Sequence, residues 1–313
     1  MTATAIARLD GNAPIPDAFR GGVVALGNFD GVHAGHQAVI GQAVAEARAR
    51  GVPALVATFD PHPVRHFKPE TAPFRLTSLD QRQRYVAEAG ADAMVVFAFG
   101  DRLANVTADD FVAEWLGGHL GVTGVVTGED FTFGKGRGGN IATLQTLGAA
   151  AGITSTSVGP VCDAEGPISS SRIRTALQAG DCETATRLLT RPFAVQGPVI
   201  HGDKNGRKLG FPTANIDMGG YLRPRYGIYA VRGHLADGRV LNGAANLGIR
   251  PTFDPPKELL EPHFFDFSGD LYGQDIAVEF VSFLRAEAKF DSLDALMAQM
   301  AHDCDEARLR LSR

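Results

Sequence analysis

Residues 22–36 read GVVALGNFDGVHAGH, and the fold hangs on them. The apolar run Val23, Val24, Ala25, Leu26 ends in turn-forming residues, Gly27, Asn28, Asp30 and Gly31. Helical spacing follows in AVIGQAVAEARARG, stopped by Gly51. A buried strand, a glycine turn and a helix make the first unit of a parallel α/β sheet. Such sheets bind ligands at the carboxyl ends of their strands. His33 and His36 fall there, on the first helical turn, with Gly35 between them. Backbone N–H groups at a helix start favour an anion. Two imidazoles can donate to the same anion, and Gly35 lets a phosphate approach without meeting a Cβ.

Outward from this stretch, the pattern repeats. VPALVATFDPHP (52–63) is a second apolar run ending in prolines, and AMVVFAF (93–99) is a third. Between them, residues 73–90 are predicted helical, with Arg75, Arg82 and Arg84 on a charged face. Thr107 and the acids behind it start a helix over 107–120. GVTGVVTG (121–128) is a fourth strand, followed by a helix near 141–151, a short strand over 153–159 and a helix within 168–181. The alternation predicts a doubly wound parallel sheet, an α/β fold. Near 186 the pattern changes. FAVQGPVIHG, GIYAVRGHL, RVLNGAANLG, EPHFFDF and QDIAVEFVSFLR are strands without intervening helices, and Asp237-Gly238 marks a hairpin. One amphipathic helix over 292–311 closes the chain. The second half should be a small antiparallel β-barrel with a C-terminal helix. The domains expected are 1–185 and 186–313.

Composition narrows the function. With 44% apolar residues over 313 positions there is material for two cores. The net charge of −5 and the lack of a long basic run give no support to a nucleic-acid partner. No apolar stretch is long enough to span a membrane, and the start, MTATAIARLDGNAPIPDAF, has no apolar leader core. The cysteines, Cys162, Cys182 and Cys304, are odd in number and far apart, which suits a reducing cytoplasm and suggests neither a zinc site nor a disulfide framework.

Four further stretches carry chemistry. TFDPHP (58–63) puts His62, with His66 behind it, at the same sheet edge as His33 and His36. His66 is expected to be a solvated loop residue. A transition-metal site of these four histidines is the rival reading, but a glycine-flanked histidine pair at a helix start suits phosphate better. GEDFTFG (128–134) brings Asp130 to a strand end. Gly134, Gly136 and Gly139 match G-x-G-x-x-G but follow an aromatic turn, so a loop rather than a dinucleotide fingerprint is expected. ISSSRIR (168–174) offers Ser169, Ser170 and Ser171 as helix caps, with Arg172 and Arg174 on the first turn, and together these could hold a triphosphate. GPVIHGDKNGRKLGFPTAN (197–215) has glycines at 202, 206 and 210, the cations Lys204, Arg207 and Lys208, and neutral oxygens at Thr213 and Asn215 suited to Mg²⁺. By chemistry alone it is an anion-binding loop or a solvated basic hairpin. No P-loop motif, G-x-x-x-x-G-K-S/T, occurs.

These motifs together resemble a known family. GNFDGVHAGH is similar to the H-x-G-H signature of nucleotidylyltransferases, in the form of the FAD synthetase half of the bacterial bifunctional riboflavin kinase/FAD synthetases. ISSSRIR resembles its partner motif I-S-S-T-x-I-R, with Ser171 where Thr is usual. The 197–215 stretch resembles the riboflavin kinase signature around PTAN. YGIYAV (226–231), NGAANLGIRPTF (242–253) and EPHFFDFSGDLYG (261–273) continue the likeness, which runs from roughly 20 to 311. The resemblance implies that the second half phosphorylates riboflavin to FMN with ATP. It implies that the first half adenylylates FMN to FAD and releases pyrophosphate, both steps with Mg²⁺. It puts His33, His36 and Arg174 at adenylyl transfer, and Gly27, Phe29, Asp30, His62, Asp130, Ser170 and Ser171 against nucleotide or flavin. It makes Glu261 the kinase's acid, which otherwise reads as a surface glutamate at a strand start. Gly202, Lys208, Gly210 and Asn246 become substrate contacts, and Thr213 and Asn215 metal ligands. Many relatives carry Asn where this chain has Asp130. The partners are riboflavin, FMN, FAD and ATP, in the cytoplasm, and no oligomeric state can be read. Two alternatives stand beside this reading: adenylyl or cytidylyl transfer to another phosphate or alcohol, and a flavin- or nucleotide-sensing module.

Overall fold

A computed structural model describes residues 6–202, 210–250 and 257–312. The chain forms two compact units. The first takes in Met1–Ala72 and Leu79–Ile168, the second Pro73–Ser78 and Ser169–Arg313.

In the first unit the elements are β1 (Ala7–Asp10), β2 (Val23–Leu26), α1 (Ala34–Arg50), β3 (Ala54–Asp60), α2 (Pro63–Phe67), α3 (Leu79–Glu88), β4 (Ala93–Ala98), α4 (Asp101–Ala104), α5 (Ala108–Asp110), β5 (Gly124–Gly128), α6 (Ile141–Ala150) and β6 (Thr154–Val158). A short hairpin of β7 (Cys162–Asp163) and β8 (Gly166–Pro167) follows. The main sheet is wholly parallel, in the order β1-β4-β3-β2-β5-β6. Strand β2 shows why its sequence is a continuous apolar run. Val23 and Ala25 enter a core with Ile40 and Ala43 of α1 and Val86 of α3. Val24 and Leu26 enter another with Trp115, Leu116 and Leu144. A strand covered on both faces needs apolar residues at every position. The direction of winding reverses between β2 and β5, so the loops after those strands flank a topological switch point.

Three local expectations change. Strand β1 was not anticipated: it is short, with exposed alternate residues, and pairs with β4. The helix expected over 73–90 covers only Leu79–Glu88, and Arg82 is 3% exposed rather than on a charged face. The helix expected over 107–120 starts as foreseen, with Thr107 accepting from the Asp110 N–H, but Phe111–Leu120 widens into a π-helix.

The second unit comprises α7 (Ser170–Ala179), α8 (Cys182–Leu189), β9 (Phe193–Pro198), β10 (Ile216–Asp217), β11 (Gly227–His234), β12 (Val240–Arg250), β13 (Lys257–Phe264), β14 (Asp275–Arg285) and α9 (Leu293–Leu311). The strands are antiparallel in the order β10-β13-β12-β11-β14-β9. Beyond β9, the Ile200 N–H donates to the Asn215 carbonyl at 2.8 Å, so the sheet nearly closes into a barrel. The β11–β12 hairpin turns at Asp237-Gly238, with Gly238 left-handed (φ 88°). Strand β13 begins four residues before the expected EPHFFDF because Leu259 and Leu260 are buried and extend the ladder. Arg285 ties β14 to α9 through both oxygens of the buried Asp303, at 2.8 and 2.6 Å. Residues 73–78 stay non-helical because Arg75 pairs as a strand would: its N–H donates to Gly220 and its carbonyl accepts from Leu222. The compact units part at Ile168/Ser169, and position 185/186 falls within α8.

Candidate active sites

In the first unit, the loop after β2 carries the histidine pair. Phe29 (φ 47°), Gly31 (φ 89°) and Val32 (φ 41°) are all left-handed. For Phe29 and Val32 that conformation is strained. Burial of both side chains, each 1% exposed, in the core beside α1 holds it in place. Gly27 sits under the Phe29 ring, which a Cβ would meet at 3.1 Å. His33 then caps α1: its Nδ1 accepts from the His36 N–H at 3.3 Å. The two imidazoles stack with centroids 3.6 Å apart, and Phe29 meets His36 edge-on. His33 is 5% exposed. A Cβ on Gly35 would meet the His33 ring at 3.2 Å and the Ile168 carbonyl at 3.4 Å, so the glycine makes room for the protein's own atoms.

Other expected residues stand on neighbouring strand ends. His62 caps α2, accepting from the Val64 N–H at 3.2 Å. His66 is not a solvated loop residue. It lies in α2, half-buried, packed edge-on against Phe67 and Phe99, with Nε2 3.5 Å from Asp101. Phe67, 64% exposed, meets Phe99, and Phe99 meets Phe59. This aromatic ledge at the ends of β3 and β4 went unnoticed in the sequence. The available signal was a large apolar side chain placed just after a strand-end loop. Asp130 is exposed in the turn after β5, with Oδ1 3.0 Å from where a Gly128 Cβ would lie. Two of the G-x-G-x-x-G glycines serve local packing, and Gly136 stands in open space. Gly134 is left-handed against the Ala108 backbone, and Gly139 lies beneath the Phe133 ring.

In the second unit, Ser169 caps α7 by accepting from the Arg172 N–H at 3.4 Å. Ser170 is half-buried and Ser171 exposed on the first turn. The Arg174 Nε donates to the Phe74 carbonyl at 2.9 Å, and its guanidinium covers the Phe74 ring. Among the described residues, no group of three or more His, Cys, Asp or Glu is placed to hold a metal ion.

The barrel gathers a second set. Asn246 of β12 lies directly opposite Glu261 of β13. On the other side of β13, Ile216 pairs with Leu260, and the Ala214 N–H donates to the Pro262 carbonyl at 2.9 Å. That register carried back one residue sets Asn215 beside Glu261. Asn215, just before β10, thus aligns with Glu261 of β13 and Asn246 of β12, and directly opposed residues of an antiparallel ladder share a face. Asn215 is 6% exposed, and the Asn246 Oδ1 is buried with no hydrogen-bond partner among the described residues. A Cβ on Gly202 would meet the Asn215 amide at 2.6 Å. Gly210 is left-handed (φ 86°) in open space. A cleft of about 70 Å³ beside Thr213 is lined by Pro212, Phe264, Phe267, Asp270, Leu271 and Tyr272. Lys208, with Lys204, Gly206 and Arg207, lies outside the described residues.

Comparison with known proteins follows the same division. The family model for FAD synthetase matches residues 15–172, and that for riboflavin kinase matches 189–311. A bifunctional riboflavin kinase/FMN adenylyltransferase of Escherichia coli is 41% identical over 283 residues, 90% of each chain. One of Bacillus subtilis is 40% identical over 291 residues, 91% of each. The crystal structure of a macrolide-efflux protein from Streptococcus pneumoniae matches 97% of this chain and 99% of its own, with TM-score 0.86 and 30% identity.

Proposed function

The chain belongs to the family of bifunctional riboflavin kinase/FMN adenylyltransferases, and from that premise we propose how its residues divide the two reactions. The chain phosphorylates riboflavin to FMN with ATP in its C-terminal half, and adenylylates FMN to FAD, releasing pyrophosphate, in its N-terminal half. The functional boundary is placed at 185/186 and the compartment is the cytoplasm.

In the kinase half, Glu261 orients the terminal ribityl hydroxyl and takes its proton as that oxygen attacks the γ-phosphate. Asn246 hydrogen-bonds the substrate beside it, and Gly202, Lys208 and Gly210 attend the phosphates. The donor set around Glu261 fits Mg²⁺, since Thr213 and Asn215 bring neutral oxygens and the nucleotide brings the charge. Bound there, the cation would offset charge on the phosphoryl oxygens. The observation that carries this half is the alignment of Asn215, Glu261 and Asn246.

In the adenylyl-transfer half, the FMN phosphate is already ionised and needs no strong base. Positioning and charge stabilisation do the work. His33 and His36 bind the phosphates from the α1 N-terminus, with Gly27, Phe29 and Asp30 shaping the loop. Ser170, Ser171 and Arg174 hold the triphosphate, and Mg²⁺ is needed here as well. His62 and Asp130 contact nucleotide or flavin, and Phe67 is the surface on which the flavin ring stacks. The carrying observation is the stacked histidine pair on a helix start at the switch point. The name of the structural neighbour describes that protein. No helix among the described residues here is long and apolar enough to cross a membrane.

The test is a time course of the whole chain with riboflavin, ATP and Mg²⁺, the flavins being separated chromatographically. FMN first and FAD after it is the expected result. FMN alone rejects the adenylyl-transfer assignment. Unchanged riboflavin, with added FMN still becoming FAD, rejects the kinase assignment.

A further inference from the structure

Beneath the histidine loop lies a charge that no part of the reaction so far uses. Arg82 of α3 is 3% exposed, and its Nη1 donates to the Thr58 hydroxyl of β3 at 2.8 Å. That hydroxyl, itself fully buried, donates to the Asn28 carbonyl at 2.7 Å. Arg82 Nη2 stands 3.7 Å from Oδ1 of Asp30, which is 2% exposed. One guanidinium thus reaches the loop at two points, through a backbone carbonyl and through a carboxylate. They bracket Phe29, one of the loop's two strained non-glycine residues. Strained conformations persist only where the surroundings hold them. Buried charges persist only where they are paired.

We propose that Arg82 is a positioning residue of the adenylyl-transfer site. It holds the loop before His33 in shape through Thr58, and it neutralises Asp30 so that the triphosphate does not meet an unopposed carboxylate at the helix start. The inference rests on the adenylyl-transfer reading above. Arg82 is too deeply buried to touch a substrate itself. Its effect therefore passes through the loop and through the local charge, and it should be felt in ATP binding more than in a proton transfer.

The test uses the full-length chain and measures FAD formation from FMN, with riboflavin phosphorylation by the same chain as the internal control. Arg82→Met should raise the KM for ATP in adenylyl transfer by about tenfold or more, with a smaller fall in kcat, because a buried pair has lost one partner. Arg82→Lys should return to within about threefold of wild type, since it keeps the charge. In Arg82→Met/Asp30→Asn the two losses should not multiply, because removing the carboxylate removes what the arginine opposes. An ATP KM unchanged in Arg82→Met overturns the proposal. So does Arg82→Lys falling as far as Arg82→Met, or a double variant whose losses multiply. Should Arg82→Met lose its circular-dichroism helix signal, the near-isosteric Thr58→Val decides: a rise in the ATP KM of about threefold or more supports the proposal, and wild-type behaviour overturns it. Wild-type chain that makes no FAD from FMN sinks the adenylyl-transfer reading itself. Wild-type chain that makes FAD, with these variants indifferent, sinks only the role of Arg82.

Discussion

Gly202 has no Cβ because the Asn215 amide occupies that place. Gly202→Ala would put a carbon 2.6 Å from the Asn215 Nδ2, so the buried Asn215 amide would have to move. The variant should lose at least about tenfold in riboflavin phosphorylation while FAD formation from added FMN is unchanged. The sequence suggested a glycine that lets a phosphate approach, and in the structure the Asn215 side chain also lies where its Cβ would be. A glycine's spacing tells that something approaches closely but not what. The cysteines allow a simpler test. Burial pushes the Cys182 thiol up to about 12 and the Cys304 thiol up to about 11. Cys162 is exposed. Since the thiolate is the reactive form, a thiol reagent at neutral pH should titrate Cys162 alone in the folded chain and all three cysteines in denaturant. Rapid labelling of a second thiol in the native state would contradict this burial.

At the scale of the element, the π-helix Phe111–Leu120 stops at a left-handed residue, a conformation that favours glycine. Gly121 is left-handed (φ 57°), and a Cβ on it would lie 2.6 Å from the Arg20 guanidinium. Arg20 in turn caps the carbonyls of Gly118 and His119, each at 3.1 Å. Gly121→Ala should therefore destabilise the first unit by about 1–3 kcal/mol, combining backbone strain with a displaced cap, as read by urea unfolding. A second test lies at the start of β3. The Arg48 guanidinium holds the Asp92 carboxyl below its usual range, against the opposing effect of burial, and the Ala54 N–H adds to the lowering. A carboxyl with a lowered folded pKa stabilises the fold above its unfolded value, near 3.8, and that contribution fades as the pH drops through the folded value. The pair is partly exposed, so about 0.5–1 kcal/mol is expected. Asp92→Asn should be less stable than wild type at pH 6, and the difference should shrink below pH ~4. Elements were legible where periodicity and caps agreed, as in α1 with its Gly51 stop. They were misread where a long-range partner decided. Arg75 is held in an extended pairing by Gly220 and Leu222, nearly 150 residues away. Arg82 was assigned to a solvent face because nothing local reveals a buried carboxylate at Asp30.

For the whole molecule, the two fold types were legible as a change of rhythm, from strand–helix alternation to strands alone. Its cause is physical: a parallel sheet needs a crossover between neighbouring strands, and an antiparallel barrel does not. The sequence did not reveal how contacts allot the intervening segment. Helices α7 and α8 and the strap Pro73–Ser78 join the barrel's unit, through contacts such as the Arg225 N–H with Leu177 and the Arg174 Nε with Phe74. The two proposed catalytic sets share no residue. His36 lies on α1 beside a parallel sheet, and Glu261 lies on β13 of the barrel. In the whole chain, His36→Ala should cut FAD formation from FMN by about a hundredfold or more and leave the rate of FMN formation from riboflavin within about twofold, so that FMN accumulates. Glu261→Gln keeps the shape but removes the proposed base. It should reverse the pattern: riboflavin persists, and FMN supplied from outside still becomes FAD. Both outcomes can be read from one chromatogram per variant. If either substitution depressed both steps equally, the activities would not be divided between these two residues as proposed. If either left its own step at the wild-type rate, that residue would lose its assigned role.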